Sequence, residues 1–471
     1  MKNTKLKQNF VFNFIYQILV FLIPLITTPY VSRVLTAEGI GKYSYSYSIA
    51  YYFVMFTMLG ISNYGTRNIA KLRNDKEKLS EFACNGICLK FLIGIVLLFV
   101  YLTFCIYKRD LITLIFSIYI VSALFDITWI FFGLEEFKIT VIRSIIIKII
   151  ATLSIFIFVD SKEDIYIYTL IMTSEILFSQ MYLWKYIKRF IIFLKPSIKG
   201  MKEQIVPNLI LFIPVISVSL YKMMDKTMLG MISGNAEVGY LESSVKIMAI
   251  PVGFIVALGT VMLPRISNLH AENNMDEINY YFSKGIQFSA IVSSLLSFGI
   301  VGVAKEFVPL YFGSGFDKCI LLFYILLPTC IFQSIANVVR TQYLIPFNKD
   351  EIYIKSVSLG AVSNLMINLL LIPKFDSIGA AIGTFIAEFL VCWYQCFKIK
   401  KDVDIFLFIK KALPSLLIAI MMASILIFIN IDYGLLMNLF IKIVLGGVFY
   451  ISLSLLVYLP KMKKFTRRKK V

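Results

Sequence analysis

The sequence predicts an all-α integral membrane protein of about fourteen transmembrane helices, arranged as two pseudo-symmetric six-helix lobes plus two C-terminal helices. Three observations carry that prediction: an apolar composition, a series of bilayer-length windows, and an internal repeat. Of 471 residues, 59% are hydrophobic and 16% charged, with a mean hydropathy of +0.81. A water-soluble fold of this composition would need an implausibly large core. A span needs about 20 apolar residues. Such windows fall near 9–32, 43–65, 83–107, 111–133, 141–159, 165–184, 207–228, 238–263, 285–304, 319–339, 356–373, 379–397, 412–430 and 436–459. The first is long and lacks a small-residue cleavage pattern, so no cleavable signal is expected.

The repeat explains the two lobes. "LIPLI" at 22–26 is answered by "FIPVI" at 212–216, and Gly41, Gly60, Arg67 and Gly86 by Gly239, Gly259, Arg265 and Gly285. Six spans separate the copies, an even number, so both enter the membrane from the same side and an axis along its normal relates them. The expected organisation is an N-terminal lobe at 1–184, a cytoplasmic linker at 185–206, a C-terminal lobe at 207–397, two further spans at 412–459 and a basic tail at 460–471. Two such bundles in a membrane enclose a central site and work by rocking.

Charge sets the topology. With the N-terminus inside, loops and tails on that side carry 33 Lys and Arg and the opposite loops eight. Positive segments stay cytoplasmic, so both termini are expected there. The net charge of +19 is mostly this retention signal and the tail at 461–470, and a nucleic-acid partner is not expected.

The remaining six lysines lie inside apolar windows: Lys90, Lys148, Lys222, Lys226, Lys246 and Lys442. Each costs about 2.5–3.5 kcal/mol at the centre of a span, so such groups face a polar cavity or a partner, or else snorkel to the headgroups from a span end. Asp126, Glu175, Asp225 and Glu388 are the acids in the same windows. Lys222, Asp225 and Lys226 share one helix face by their i, i+3, i+4 spacing, and the Asp neutralises one of two cations. The surplus suits an anionic substrate; snorkelling toward the outer surface is the rival explanation. Pro24, Pro29, Pro207, Pro214, Pro251 and Pro328 fall in or beside spans, where each removes a backbone hydrogen bond and opens or kinks the helix. Asn364 and Asn368 stand one turn apart; interhelical hydrogen bonding is the default for such a pair, and cavity lining the alternative.

Catalytic chemistry finds little support. There is one histidine, His270, and the seven cysteines include Cys84 with Cys88 and Cys392 with Cys396, each pair one helical turn apart. Membrane helices use Cys as a small apolar residue. With no G-x-x-x-x-G-K-[ST] loop, uphill transport would draw on an H+ or Na+ gradient, the substrate's own gradient or a separate partner. No metal or cofactor is expected, and the chain reads as a transporter and not an enzyme.

The segment "DITWIFFGLEEFK" at 126–138, followed by Arg143, resembles the fourth-span signature of bacterial polysaccharide repeat-unit flippases, the Wzx or RfbX type within the multidrug/oligosaccharidyl-lipid/polysaccharide superfamily. "SRVLTAEGIGKYSYSYS" at 32–48, "MDKTMLG" at 224–230, "EVGYLESSVKI" at 237–247, "TQYLIPFNKDE" at 341–351 and "NLMINLLLIPKFDSIGAAIGTFIAE" at 364–388 extend the likeness over nearly the whole length. The resemblance implies a bacterial plasma-membrane protein that moves undecaprenyl-pyrophosphate-linked oligosaccharide to the outer leaflet by alternating access, for capsule, O-antigen or a similar polymer. Its partners would be the lipid-linked substrate, membrane lipids and a polysaccharide polymerase or other assembly proteins.

Within that expectation, Lys222, Lys226 and Lys246 are the candidate contacts to the anionic head, with Arg33, Arg67 and Arg143 as further ones. Asp225 would orient them or hold a coupling ion, Glu175 or Glu388 would titrate during transport, and Asn364, Asn368 and Asp126 would line the cavity. The copies differ in charge: Ser32 and Ser48 of the first correspond to Lys222 and Lys246 of the second, which places much of the head in the C-terminal lobe. A drug or organic-cation exporter of the same superfamily, a lipid-linked peptidoglycan-precursor flippase, and a non-transporting scaffold for polymer assembly are the alternatives.

Overall fold

The computed structural model describes residues 2–429 and 433–468, and for residues 2–21, Pro214, Tyr221 and 459–468 the backbone alone. The side chains of the expected basic tail at 460–471 therefore lie outside the described residues. The described chain is helical throughout, with no strand among the described residues. Close packing divides it into two compact units, 1–239 and 240–471.

In the first unit, α1 (Lys2–Met58) has 57 residues, enough for two bilayer crossings, and breaks at Thr36 (φ 59°, ψ 176°). It stays helical in φ/ψ through Pro24 and Pro29. The helix ends at Leu59 and Gly60, both at positive φ, and α2 (Ile61–Leu72) leaves as a separate amphipathic helix burying Ile61, Gly65 and Ile69. The window expected at 43–65 thus ends early, because Gly60 takes the left-handed conformation at no steric cost. Then come α3 (Lys76–Lys108), whose first turn is capped by the Asp75 carboxylate accepting from Lys78 N, and α4 (Leu111–Ile115), α5 (Ser117–Phe125) and α6 (Thr128–Gly133), three pieces of one interrupted span. A 3-10 turn at Lys162–Asp164 separates α7 (Phe137–Phe158) from α8 (Ile165–Ile187), and α9 (Ile198–Ile232) completes the unit.

Small residues decide where these helices touch. A Cβ on Gly65 or on Gly86 would meet the Trp129 ring, so two glycines form the slot that takes the indole. Isoleucines 61, 69, 87, 127 and 130 with Phe131 and Leu183 close the core around it. The second arm of α1 runs antiparallel to α9: the Tyr51 hydroxyl meets Ser219 Oγ at 3.2 Å, Thr227 Oγ1 donates to Ser48 Oγ at 3.0 Å, and Gly230 seats the Tyr45 ring. For this reason α9 packs with the first unit. Gly41 and Gly239, one from each copy of the repeat, meet here: a Cβ on Gly41 would strike the Asn235 carbonyl and a Cβ on Gly239 the Ala37 carbonyl. Gly41→Val is therefore expected to cost at least the ~1–3 kcal/mol of an overpacked core, read as a lower melting midpoint of the detergent-purified protein. An unchanged midpoint would refute the close approach.

In the second unit lie most of α10 (Asn235–Ala271), then α11 (Met275–Gly302), α12 (Ala304–Phe312), α13 (Lys318–Leu326) and α14 (Thr329–Val339), a π-helical turn at Arg340–Leu344, α15 (Asp350–Ile399), α16 (Ile405–Phe428) and α17 (Leu435–Arg468). At about 1.5 Å per residue the 50 residues of α15 exceed twice the hydrocarbon thickness. The helix breaks at Asp376 (φ 51°) and folds back on itself, since Gly379 lies against Leu371, Gly383 against Asn368 and Gly360 against Val391. Buried serines let α11 approach α14, with Ser293 and Ser334 hydroxyls 3.1 Å apart, the small-residue contact expected of packing in lipid. Among the described residues, nine helical stretches are long and apolar enough to cross a membrane. With the two arms of α1, the second arm of α15, and α8 and α9 added to these nine, about fourteen fits, and the chain is a multi-pass, all-α membrane protein.

Candidate functional site

A polar constellation in the first unit forms where its fourth span is interrupted. α5 stops at Phe125 because Asp126 turns extended (φ −71°, ψ 107°), and the Asp126 carboxylate accepts from Thr128 N at 2.8 Å and from the Thr128 hydroxyl at 2.5 Å. This side chain thereby starts α6. A broken helix exposes carbonyls that water would satisfy elsewhere. Here Lys90, 2% exposed on α3, donates its ammonium to the Asp126 carbonyl.

Beside the break is a pocket of about 330 Å³ lined by Asp126, Thr128, Trp129, Arg143, Ser144 and Gln180 among others. Arg143, 6% exposed, is held by the Ser179 carbonyl at 2.5 Å, Gln180 Oε1 at 3.4 Å and Ser144 Oγ at 3.4 Å. Gln180 Oε1 also lies 3.0 Å from the Thr128 hydroxyl. A hydroxyl has one proton, so Thr128 serves Asp126 or Gln180 at any moment. Gln180 Oε1 is thus the acceptor that Arg143 and Thr128 share, and the Thr128 proton goes either to it or to the Asp126 carboxylate. The buried Trp129 Nε1 has no hydrogen-bond partner among the described residues. A guanidinium fork with hydroxyl and amide groups around it suits phosphate and sugar hydroxyls.

The other predicted residues are spread over both units. Lys222, Asp225 and Lys226 sit near the end of α9, Lys222 exposed and the other two half-buried. Arg33 is exposed on α1 and donates to the Pro29 carbonyl at 3.4 Å. Arg67 is exposed on α2. Glu175, half-buried on α8, feels the charge of Lys148 on α7. In the second unit, Lys246 lies 3.8 Å from Glu242 one turn before it. Glu388 is buried and accepts from Gln333 Nε2 at 2.7 Å. Asn364 and Asn368 are fully buried inside the α15 hairpin, where Asn368 Nδ2 donates to Asn364 Oδ1 at 3.2 Å and both face Gly383.

Sequence reasoning did not single out Gln180 or Trp129. Ser179–Gln180 in the apolar run of the sixth span was the available signal for one; the other is invisible without the glycine slot. Two lysines for which snorkelling was an alternative are instead buried: Lys90 on the Asp126 carbonyl, and Lys442, whose ammonium lies 2.6 Å from Glu306 Oε1.

Comparison with known proteins places these features in context. Residues 6–270 match a family model described as "Polysaccharide biosynthesis protein", and residues 145–446 one described as "Lipid II flippase MurJ". The chain is 25% identical over 394 residues to a protein of Escherichia coli K12 named as a candidate O-antigen transporter, covering 82% of this chain and 94% of that one. A protein of the same description from Shigella dysenteriae is 24% identical over 408 residues, covering 84% and 100%. A solved structure of the lipid II flippase MurJ in an inward closed conformation aligns with a TM-score of 0.75 over 97% of this chain and 99% of that one, at 17% identity, which is a likeness of fold alone.

Proposed function

This chain belongs to the family of polysaccharide biosynthesis proteins, and we propose that it is a flippase, moving undecaprenyl-pyrophosphate-linked oligosaccharide repeat units across the bacterial plasma membrane for surface-polymer assembly. The observation that carries this reading is the pocket of about 330 Å³ in an apolar bundle, lined by a buried guanidinium together with Thr128, Ser144 and Gln180. A pyrophosphate-linked glycan needs that combination: cations for the phosphates, directional donors for the sugar, and a surrounding lipid phase for the isoprenoid.

The working domain division is the one the repeat suggests: lobes 1–184 and 207–397 joined by the linker 185–206, accessory spans 412–459, and a basic tail 460–471, with both termini cytoplasmic. Transport proceeds by alternating access. Lys222, Lys226 and Lys246 supply further charge to the head, with Arg33 and Arg67 as further candidate contacts and Asp225 orienting the lysines of its own helix face. An H+ or Na+ gradient is the energy source, with Glu175 or Glu388 as the group that titrates, and a polymerase consumes the product.

The test is leaflet reorientation of a labelled lipid-linked repeat unit in proteoliposomes. The native protein should reorient it and Lys222→Gln/Lys226→Gln should lose at least about tenfold in rate, the loss expected when charge-assisted contacts go, at equal abundance. Full activity in the double variant would remove these lysines from the path; no reorientation by the native protein would overturn the flippase reading.

A further inference from the structure

We infer that α2 and the start of α9 form a cytoplasmic-side loading site for the phosphoryl head of a polyprenyl lipid, with Arg67 and Lys71 as its cationic contacts. The inference deepens the flippase reading and rests on it for the identity of the lipid.

The geometry begins with the two faces of α2. Ile61, Gly65 and Ile69 recur at every fourth position and are buried, with Gly65 against Trp129 and Ile69 against Gly133 of α6. The complementary stripe, Tyr64, Arg67 and Lys71, follows i, i+3, i+7 spacing and faces α9. With Pro207, Ile210 and Leu211 it lines a groove of about 240 Å³. Only glycine lets the two helices meet this way. Gly60 turns the chain at φ 78°, and a Cβ there would strike the Asn208 carbonyl and the Phe212 backbone of α9.

The groove's charge is not spent internally. The heads of Arg67 and Lys71 are exposed, and neither makes a hydrogen bond or ion pair with another described residue. Arg73, just past the helix, contrasts with them: it is paired with Glu135 at 3.2 Å. Glu203, exposed on α9, is an acid whose charge reaches the same groove at Tyr64. Two cations against one acid leave a positive surplus, suited to a phosphate that one fork and one ammonium grip together.

The other wall selects a lipid over a free ion. Pro207, Ile210 and Leu211 give no hydrogen bonds to the remaining oxygens of a free phosphate, and α9 beside them exposes Val206, Leu209 and Ile213. An isoprenoid tail laid along that strip shields it while the head rests on α2. The positive-inside reading puts α2 and the start of α9 at the cytoplasmic leaflet, where such lipids carry their head before transport. The same helix also touches the Arg143 pocket: Ser62 lines it, and Thr66 Oγ1 lies 3.2 Å from the Trp129 carbonyl. One helix thus borders both the groove and the pocket, and a head captured at Arg67 and Lys71 has a short path around α2.

The experiment uses the full-length protein in nanodiscs, with undecaprenyl pyrophosphate, inorganic pyrophosphate and phosphatidylglycerol as probes. Arg67→Gln/Lys71→Gln should weaken undecaprenyl pyrophosphate binding about tenfold or more. Arg67→Lys/Lys71→Arg should retain most of it, and neither inorganic pyrophosphate nor phosphatidylglycerol should compete at equal concentration. Unchanged affinity in the glutamine variant overturns the proposal. Equal competition by inorganic pyrophosphate makes this a free-anion site, and equal competition by phosphatidylglycerol a site for bulk lipid; either result also overturns it. Reorientation assays keep the two readings apart. A native protein that binds the probe through Arg67 and Lys71 yet reorients no lipid-linked oligosaccharide refutes the flippase and leaves the site. A glutamine variant that reorients with the native concentration dependence refutes the site and leaves the flippase.

Discussion

Lys442→Met is expected to destabilise the second unit by about 3–5 kcal/mol, the cost of stranding one partner of a buried ion pair. The Lys442 ammonium is 2% exposed and lies 2.6 Å from Glu306 Oε1, tying α17 to α12. Removing the lysine leaves a carboxylate inside an apolar bundle, with the neighbouring Tyr324 hydroxyl as poor compensation. Glu306→Gln should be nearly as damaging, since it strands an ammonium. The double variant Glu306→Gln/Lys442→Met strands neither charge and should be more stable than either single variant, because desolvation of the pair offsets most of its attraction. Melting midpoints of the four proteins in one detergent close the cycle. Additive losses would mean that the two side chains do not share their energy, and the assignment of a buried pair would fail.

That pair also marks what a sequence does and does not disclose. Composition and window length suffice for an all-α membrane fold, because the bilayer leaves the backbone few alternatives. They also flag Lys442 as a charge in an apolar window, yet the partner is 136 residues away in a segment expected to be a loop, and no local pattern points to it. Lys90 follows the same logic with a different partner. An acid was the natural counter-group to seek, and Asp126 is indeed there, but its carboxylate is engaged by Thr128 and the lysine takes the carbonyl that the break exposes. The one-turn spacing of Asn364 and Asn368 was legible; that Gly383 makes the room for them depends on α15 doubling back at Asp376. The break in α1 at Thr36 falls between the windows expected at 9–32 and 43–65 and not at Pro24 or Pro29. A helix in lipid tolerates proline when neighbouring groups satisfy the freed carbonyl, while a reversal needs a residue forced out of helical φ/ψ altogether.

Arg143→Leu should reduce lipid-linked oligosaccharide reorientation about tenfold to a hundredfold, corresponding to the ~1.5–3 kcal/mol of a charge-assisted hydrogen bond lost from a desolvated site. The guanidinium is fixed from behind by the Ser179 carbonyl and at its side by Gln180, so it meets an incoming phosphate already oriented. Arg143→Lys keeps the charge and loses the planar fork, and an intermediate rate is expected. Gln180→Leu leaves the charge in place and removes the acceptor that Arg143 shares with Thr128. If Gln180 acts only by positioning, that change should raise the half-saturating lipid concentration more than it lowers the maximal rate. A purely structural arginine would behave differently: activity would fall in step with folded protein in the membrane, and Arg143→Lys would gain nothing over Arg143→Leu. Rates normalised to folded protein decide between the two, and proportional loss in every variant would remove Arg143 from the transport path.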